Sequence, residues 1–276
     1  MISRIAGTVV LLAVLSACGG ATSTNAPEDA SDSGNNNGTE GDSGSGDNGN
    51  QEAENQLETE VTVPDSPPFA GTIFLDPDIV NESDPSAFQS IAAMGTAERM
   101  MFDRREGWVT TTPFLFQAGY DDGLTIDIQV NPEFTEAEAT TTAELYVQMF
   151  GQLPTLPRKD VQTSWIHKGV NPWGGGNNNL LVHTGQGELY IADGIAEETL
   201  IHEASHTSLD ADYAGAPGWI AAQQADPTFI STYAQEFPDR EDIAESFLPY
   251  VALRYRRERI SDALAAMFEV TMPNRI

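Results

Sequence analysis

Two histidines four residues apart, His202 and His206, enclose Glu203 in the run His-Glu-Ala-Ser-His. On a helix, side chains at this spacing lie on the same face, so both imidazoles can bind one metal ion. Glu203 lies one position round the helix from His202 and can reach a water molecule next to that metal. The run therefore predicts metal-assisted hydrolysis, with two histidine ligands and a glutamate base. The alternative is two surface histidines on an ordinary amphipathic helix.

A second pair of residues at the same spacing, Glu241 and Glu245, begins 35 positions after His206. A zinc ion that activates water needs a third protein ligand and keeps its fourth position for the water. A histidine ligand also needs a partner on its other ring nitrogen, which holds the ring in place. The two glutamates supply both groups if their helix faces the histidines. The alternative is an acidic helix face in solvent, which is common in a chain of net charge −29.

The N-terminus predicts export and a lipid anchor. Arg4 precedes an apolar run, Ile5 to Leu15, that is too short to span a membrane. The run ends in Leu-Ser-Ala-Cys and resembles the signal of a bacterial lipoprotein. We expect a signal peptide at 1–17, acylation of Cys18, and an extracytoplasmic protein anchored to a bacterial membrane, preferably the outer membrane or cell surface. The alternative is an ordinary secretory signal with a chance cysteine. Cys18 is the only cysteine, so no disulfide can form within one chain.

Residues 18–66 are predicted to be a disordered acidic tether. From residue 19 to residue 66 the chain has eleven acidic residues and no basic one, and few large apolar side chains. Such a segment cannot bury enough apolar surface to offset the entropy of ordering it. The whole chain has only two lysines, Lys159 and Lys168. Nucleic acid is excluded as a partner, because phosphate contacts need a basic face.

Residues 67–276 have the length and composition of one globular domain, and the mixture of strand and helix patterns indicates the α+β class. We expect a β-rich extension at 67–131, an upper lobe at 132–210 and a helical lower lobe at 211–276. The elements predicted for the extension are a strand at Gly71–Leu75, a helix near Phe88–Met101, and strands at Trp108–Ala118 and Leu124–Val130 joined by a hairpin turn.

The upper lobe is predicted to alternate helix and strand before the helix of the two histidines. Its elements are a helix from Pro132 through Phe150 and extended stretches at Val161–His167, Leu180–His183 and Glu188–Ala192. The glycine-rich run 173–179 lacks the strand-to-helix setting of a phosphate loop, which excludes a nucleotide site. The helices predicted for the lower lobe are Trp219–Gln224, Thr228–Gln235 and Asp239–Tyr255, with Pro249 kinking or restarting the last.

Together the two motifs resemble those of the gluzincin zinc peptidases, in particular the branch of anthrax lethal factor and the Pro-Pro endopeptidases. The likeness is carried by His202-Glu203-x-x-His206 and by Glu241-x-x-Ala244-Glu245-x-Phe247. It is specific over about residues 189–247 and only architectural over 132–190. The resemblance implies a zincin-like fold, in which an N-terminal lobe with a small mixed sheet and the metal helix faces a mostly helical C-terminal lobe.

The resemblance also implies a role for each site residue. His202, His206 and Glu241 correspond to the ligands of one Zn²⁺. Glu245 corresponds to the carboxylate behind a histidine ligand, and Glu203 to the general base. Tyr233 is similar in position to the family's transition-state tyrosine. It stands eight residues before Glu241, one more than the family spacing, so Tyr213 is the alternative.

The predicted function is hydrolysis of peptide bonds by a membrane-anchored, monomeric zinc endopeptidase acting on a protein or peptide. His183 and Tyr190 are candidates to border the substrate cleft, and Glu188–Ala192 to pair with extended substrate as an edge strand. The alternatives are a zincin-shaped lipoprotein that binds without cleaving, and a passive metal store. Glu203 favours the enzyme, because a passive site needs no general base.

Overall fold

The computed structural model describes residues 62–276, so the predicted signal peptide, Cys18 and nearly all of the tether lie outside the described residues. The strands are β1 (Phe88–Thr96), β2 (Arg99–Asp103), β3 (Gly107–Thr111), β4 (Phe114–Tyr120), β5 (Thr125–Val130), β6 (Thr163–His167), β7 (Gly174–Gly176) and β8 (Asn179–His183). The helices are α1 (Glu136–Gln152), α2 (Thr155–Arg158), α3 (Thr184–Asp193), α4 (Ala196–Ser208), α5 (Asp210–Tyr213), α6 (Pro217–Ala225), α7 (Thr232–Glu236), α8 (Asp242–Tyr255) and α9 (Asp262–Thr271). Within residues 62–276, no helix has both the length and the apolar character needed to cross a bilayer.

A six-stranded mixed sheet with the order β1-β4-β5-β6-β8-β7 forms the centre of this α+β fold. Strands β5, β6 and β8 are parallel, whereas β1, β4 and β7 run antiparallel to their neighbours. The hairpin predicted between β4 and β5 is confirmed, with Gly119 opposite Thr125. A parallel return from β5 to β6 needs a crossover connection, which α1 and α2 provide.

Helix α1 confirms the helix predicted from Pro132 and begins at Glu136. Thr135 caps it: the Glu138 backbone N–H donates to the Thr135 hydroxyl at 3.3 Å, and the Thr135 N–H donates to the Glu138 carboxylate at 2.7 Å. This reciprocal pair satisfies backbone donors that have no partner inside the helix. The buried face of α1 packs on the sheet and consists of Ala139, Ala143, Tyr146, Val147, Met149 and Phe150.

Three predictions for the extension are wrong, and two of them concern residues 88–118. The stretch predicted as a helix near Phe88–Met101 forms β1 and the start of β2, because β1 pairs with β4 from Phe88 to Thr96. That pairing outweighs the helix preference of Ala92, Ala93 and Met94. The stretch Trp108–Ala118 is not one strand. It divides near Pro113 into β3, which pairs with β2, and β4, which belongs to the main sheet.

The strand predicted at Gly71–Leu75 is an irregular segment instead. Its backbone N–H groups donate to side chains rather than to another strand. Ile73 donates to the Glu245 carboxylate at 2.9 Å, and Leu75 donates to the Glu198 carboxylate at 2.8 Å. Two buried carboxylates therefore accept the hydrogen bonds that a neighbouring strand would accept. The alternation of apolar residues in the sequence does not show which kind of partner the backbone has.

The edge strand predicted at Glu188–Ala192 is also wrong, since these residues belong to α3. Gly194 ends this helix with φ +76°, and its N–H donates to the Ile191 carbonyl at 3.2 Å. A left-handed glycine is a common helix end. The antiparallel edge strand next to the histidine helix is β7, inside the run that the sequence indicated to be a loop.

The predicted lower helices are found as α6, α7 and α8, with small changes at their ends. Helix α8 passes through Pro249 without a break. Helix α9 was not predicted, and its residues Ala265 and Phe268 join the core formed with α8.

Candidate metal centre

The histidine motif lies on α4, as predicted, and this helix is buried along nearly its whole length. His202 and Glu203 expose only 6% and 4% of their surface. Strand β7 lies directly against α4 at this point, because a Cβ added to Gly175 would fall 1.7 Å from the Glu203 carbonyl oxygen. Only glycine permits so close an approach of two backbones. Gly175 therefore helps to fix the distance between the edge of the sheet and the motif.

The third member of the centre, Glu241, comes from the residue that precedes α8. Its Oε2 atom lies 3.1 Å from His206 Nε2 and 3.4 Å from His202 Nε2, and the two Nε2 atoms lie 3.1 Å apart. Within the described residues, these three side chains are brought together as a group whose ligand atoms all lie within 4.8 Å of one another. The predicted ligand set of two histidines and Glu241 is thus assembled in one place.

The triangle formed by these three atoms has the size of one face of a coordination tetrahedron. Metal–ligand bonds of about 2.0–2.2 Å at zinc give ligand–ligand edges of roughly 3.3–3.6 Å. The measured edges of 3.1, 3.1 and 3.4 Å are close to that range. Glu241 Oε2 is buried and makes no hydrogen bond. Because a buried carboxylate oxygen needs a partner, this atom fits a cation at the centre.

A carboxylate lies next to the Nδ1 atom of each histidine, on the side of the ring away from Nε2. Glu245 Oε1 lies 3.2 Å from His202 Nδ1, and Asp210 Oδ2 lies 2.8 Å from His206 Nδ1. The other oxygen of Glu245 accepts the Ile73 N–H. A carboxylate on Nδ1 fixes the ring and leaves Nε2 free to bind a metal. Asp210 was missed as a functional residue. Its position four residues after His206 is the signal that would have found it.

The electrostatics of the centre favour positive charge. Burial lowers the pKa of His206, but the neighbouring carboxylates of Asp210 and Glu241 outweigh burial and raise the pKa to about 9. Burial is likewise outweighed at His202, where Glu241 and Glu245 hold the pKa well above the ordinary value. Burial would raise the pKa of Glu241, yet the two histidines keep it below its ordinary value. A metal cation between these groups would compensate the negative charge of the carboxylates, as a proton on a histidine does.

Of the two candidate tyrosines, the structure brings Tyr233 to the centre. Burial, followed by the negative charge of the nearby Glu241, raises the pKa of the Tyr233 hydroxyl well above its ordinary value, and Glu203 raises it further. Tyr213 lies on α5 with 45% of its surface exposed, and no contact with the ligands is found for it. The distance in sequence from Tyr233 to Glu241 left the choice between the two tyrosines open, whereas the position of α7 favours Tyr233.

Tyr190 remains close to the centre, whereas His183 does not line an accessible cleft. Burial and the charge of Glu203 raise the pKa of Tyr190 to about 12. The His183 ring is fully buried and stacks on His167 with ring centroids 5.3 Å apart. Its Nδ1 lies 3.0 Å from the Lys168 carbonyl oxygen. His183 belongs to this interior cluster beside Asp103, so our interpretation of it as a cleft residue is wrong.

The segment before β1 is fastened to α4 by a second buried glutamate. Glu198 accepts the N–H groups of Leu75 and Ile79 at 2.8 and 3.0 Å. Burial raises the pKa of Glu198 to about 7, although these two hydrogen bonds act against the shift. The charges on Asp78 and Glu197 raise it further.

The raised pKa of Glu198 predicts that stability falls between pH 4.5 and 7. The folded state binds the proton more tightly than the unfolded state, so this contribution is complete below about pH 4.5 and lost as the pH rises to about 7. The loss is on the order of 3 kcal/mol. Denaturant unfolding of the metal-free domain will measure it as the difference between wild type and Glu198→Gln at each pH. Parallel pH profiles for the two proteins would show that Glu198 is not the titrating group.

No protein-family model matches the chain, and no curated protein or solved structure matches it either.

Proposed function

We propose that the chain is a zinc-dependent endopeptidase. The observation that carries the proposal is the tetrahedron-sized triangle of His202, His206 and Glu241 atoms, with Glu203 on the same helix. Two imidazoles and one carboxylate form a ligand set typical of catalytic rather than structural zinc, because such sites keep a fourth position open. Glu203 supports hydrolysis over passive binding, because it is buried at the centre without being one of the three ligands.

The reaction follows from the chemistry of these side chains. A bound zinc ion supplies a Lewis acid that makes water acidic and polarises a carbonyl group. Glu203 accepts a proton from the attacking water and gives it to the leaving amine. The Tyr233 hydroxyl, which is buried and makes no satisfied hydrogen bond, is available to donate to the oxyanion. Glu245 and Asp210 keep the two imidazoles oriented throughout.

Strand β7 supports an extended peptide as the substrate. It is the last strand of the sheet and pairs with β8 on one side only, within the described residues. The Gly176 N–H donates to the Thr207 hydroxyl of α4 at 2.8 Å, so this end of the sheet lies next to the metal helix. An extended peptide that adds to this edge runs beside α4 and the metal ligands. We therefore propose for β7 the substrate-pairing role that the sequence suggested for Glu188–Ala192.

The direct test is digestion of a broad peptide library by the zinc-loaded chain. We expect cleavage inside peptides, its loss when a chelator is present, and its return when zinc is added back. Cleavage that persists after complete removal of zinc would contradict the proposal. A zinc-loaded protein that cuts no peptide in the library would favour a binding protein instead.

Changing the two candidate tyrosines will distinguish their roles. Tyr233→Phe removes the hydroxyl beside Glu241 and should reduce kcat/KM by about 10²-fold or more, as expected for one oxyanion donor. Tyr213→Phe is the matched control, because its side chain is exposed, and should leave the rate within about twofold. Peptide cleavage kinetics measure both. A larger loss for Tyr213→Phe would assign the donor role to Tyr213.

We also propose that the enzyme acts outside the cytoplasm from a lipid anchor, on the basis of Leu15-Ser16-Ala17-Cys18 and the acidic segment that follows. Cys18→Ser should move the protein from the membrane fraction to the soluble fraction, with an unchanged melting temperature. Intact mass should show wild type cleaved before Cys18 and carrying acyl chains. A mature protein cut elsewhere and without acyl mass would exclude the anchor.

A further inference from the structure

Arg275 follows α9, and its side chain is fully buried between two acidic residues of the lower part of the fold. Its Nε lies 2.7 Å from Asp226, and its Nη1 donates to Asp242. Its Nη2 donates to the Thr228 carbonyl at 2.5 Å. The guanidinium also lies over the Phe229 ring, 5.2 Å from the centroid. Arg275 therefore connects the end of α6 and the segment before α7 with the start of α8.

Asp242, the partner on α8, is the residue next to the metal ligand Glu241. It is fully buried and is also held by Gln223, whose Nε2 donates to it at 3.0 Å. The Glu241 backbone is fixed on both sides, since its N–H donates to the Phe237 carbonyl and its own carbonyl accepts from Glu245, both at 2.9 Å. Any displacement of Asp242 is therefore passed to Glu241, one residue away.

The shape of arginine accounts for this arrangement. Its planar guanidinium presents donors in fixed directions, so one side chain can bridge Asp226, Asp242 and a carbonyl oxygen at once. The ammonium of a lysine is a single point charge and cannot reach all three. Two buried carboxylates around one cation are a weak source of stability, because desolvating them offsets much of the attraction. What the bridge does supply is a fixed position for the start of α8.

We propose that Arg275 is a positioning residue for the metal centre, which holds Glu241 at the correct distance from His202 and His206. The proposal rests on the metal site of the proposed function, and it adds a residue 34 positions after the ligand. The contacts of Arg275 are with Asp226, Asp242, Thr228 and Phe229, and none of these is a candidate metal ligand or part of β7. Its effect on the centre passes through Asp242 and the start of α8.

The test compares Arg275→Lys with Arg158→Lys. The Arg158 side chain is also buried and is paired with Asp122 in the β4–β5 turn, and its ion pair involves none of the three candidate ligands. Zinc affinity is measured by competition with a chelator, under conditions where each metal-free variant is folded. We expect Arg275→Lys to weaken zinc binding about 10–100-fold, as other supporting partners of metal ligands do. Arg158→Lys should keep the wild-type affinity, although it too loses stability.

Equal zinc affinity for Arg275→Lys and wild type would overturn the positioning role. If Arg275→Lys does not fold, Asp226→Asn is tested instead. This substitution weakens the ion pair between Arg275 and residue 226 and leaves Arg275 and Asp242 unchanged. The same 10–100-fold weakening is then expected, and unchanged affinity again overturns the role. A wild-type chain that binds no zinc would overturn the proposed function itself, and this inference with it, so the two failures are distinguishable.

Discussion

Glu203→Gln is expected to retain zinc and to lose peptide cleavage. The substitution keeps the size of the side chain but removes its ability to accept a proton. Glu203 is not among the three side chains whose ligand atoms meet, so zinc content should stay at wild-type level. We expect kcat to fall by at least about 10²–10⁴-fold, the range for loss of a general acid–base group. Steady-state cleavage of a peptide found in the library measures this, together with the zinc content of the same sample.

The control for this change is Glu198→Gln on the same helix. Glu198 is also a buried glutamate of α4, but its carboxylate binds backbone N–H groups of residues 75 and 79. Its substitution should leave kcat within a few-fold of wild type at a pH where both proteins are folded. If zinc-loaded Glu203→Gln cleaves as fast as wild type, the general-base role is wrong. If it loses zinc as well as activity, Glu203 contributes to metal binding and its role must be revised.

Glu241→Ala and Glu245→Ala are expected to separate a ligand from its supporting group. Glu241→Ala removes one corner of the triangle and leaves two histidines, so zinc should no longer be retained through dialysis. Glu245→Ala removes the carboxylate behind His202 and should weaken zinc about 10–100-fold. It should also loosen the segment before β1, because Glu245 accepts the Ile73 N–H. Zinc affinity and proteolysis near residue 73 measure the two effects separately.

Glu236→Ala serves as the control for both glutamates. Glu236 is an exposed acidic residue of α7, near Glu241 in sequence, and removing its charge should change zinc affinity by less than about twofold. The reverse order, with Glu245→Ala abolishing zinc binding and Glu241→Ala sparing it, would exchange the two roles. Equal losses for all three variants would indicate that net charge, rather than coordination, controls affinity.

Local spacing in the sequence was enough to predict the two histidine ligands and the pair of glutamates, while the choice of Glu241 as the third ligand came from the family resemblance. His202 with His206 and Glu241 with Glu245 are each four residues apart, and each pair lies at one face of a helix or its first turn. The residues of each pair must lie together whatever the rest of the fold does. The sequence alone does not show that the two helices face each other. The distances of 3.1 and 3.4 Å from Glu241 to the histidines are what establish it.

The missed features depend on partners that are far apart in sequence. The strand predicted at Gly71–Leu75 fails because its backbone partners are side chains 123 and 172 residues away. β7 was not predicted, because three glycines have no strand preference and only pairing with β8 makes them a strand. His183 was a candidate for the cleft beside the edge strand predicted at Glu188–Ala192, whereas its ring turns inward to stack on His167. Periodicity carries no information about such contacts.

The most direct test of the account is anomalous X-ray scattering at the zinc absorption edge, from crystals of zinc-loaded Glu203→Gln. We predict one strong peak within about 2.0–2.2 Å of His202 Nε2, His206 Nε2 and Glu241 Oε2. The buried cluster of Asp103, His167 and His183 is the internal comparison and should show no peak. A zinc peak at that cluster, or no peak at the triangle in crystals that contain zinc, would contradict the account.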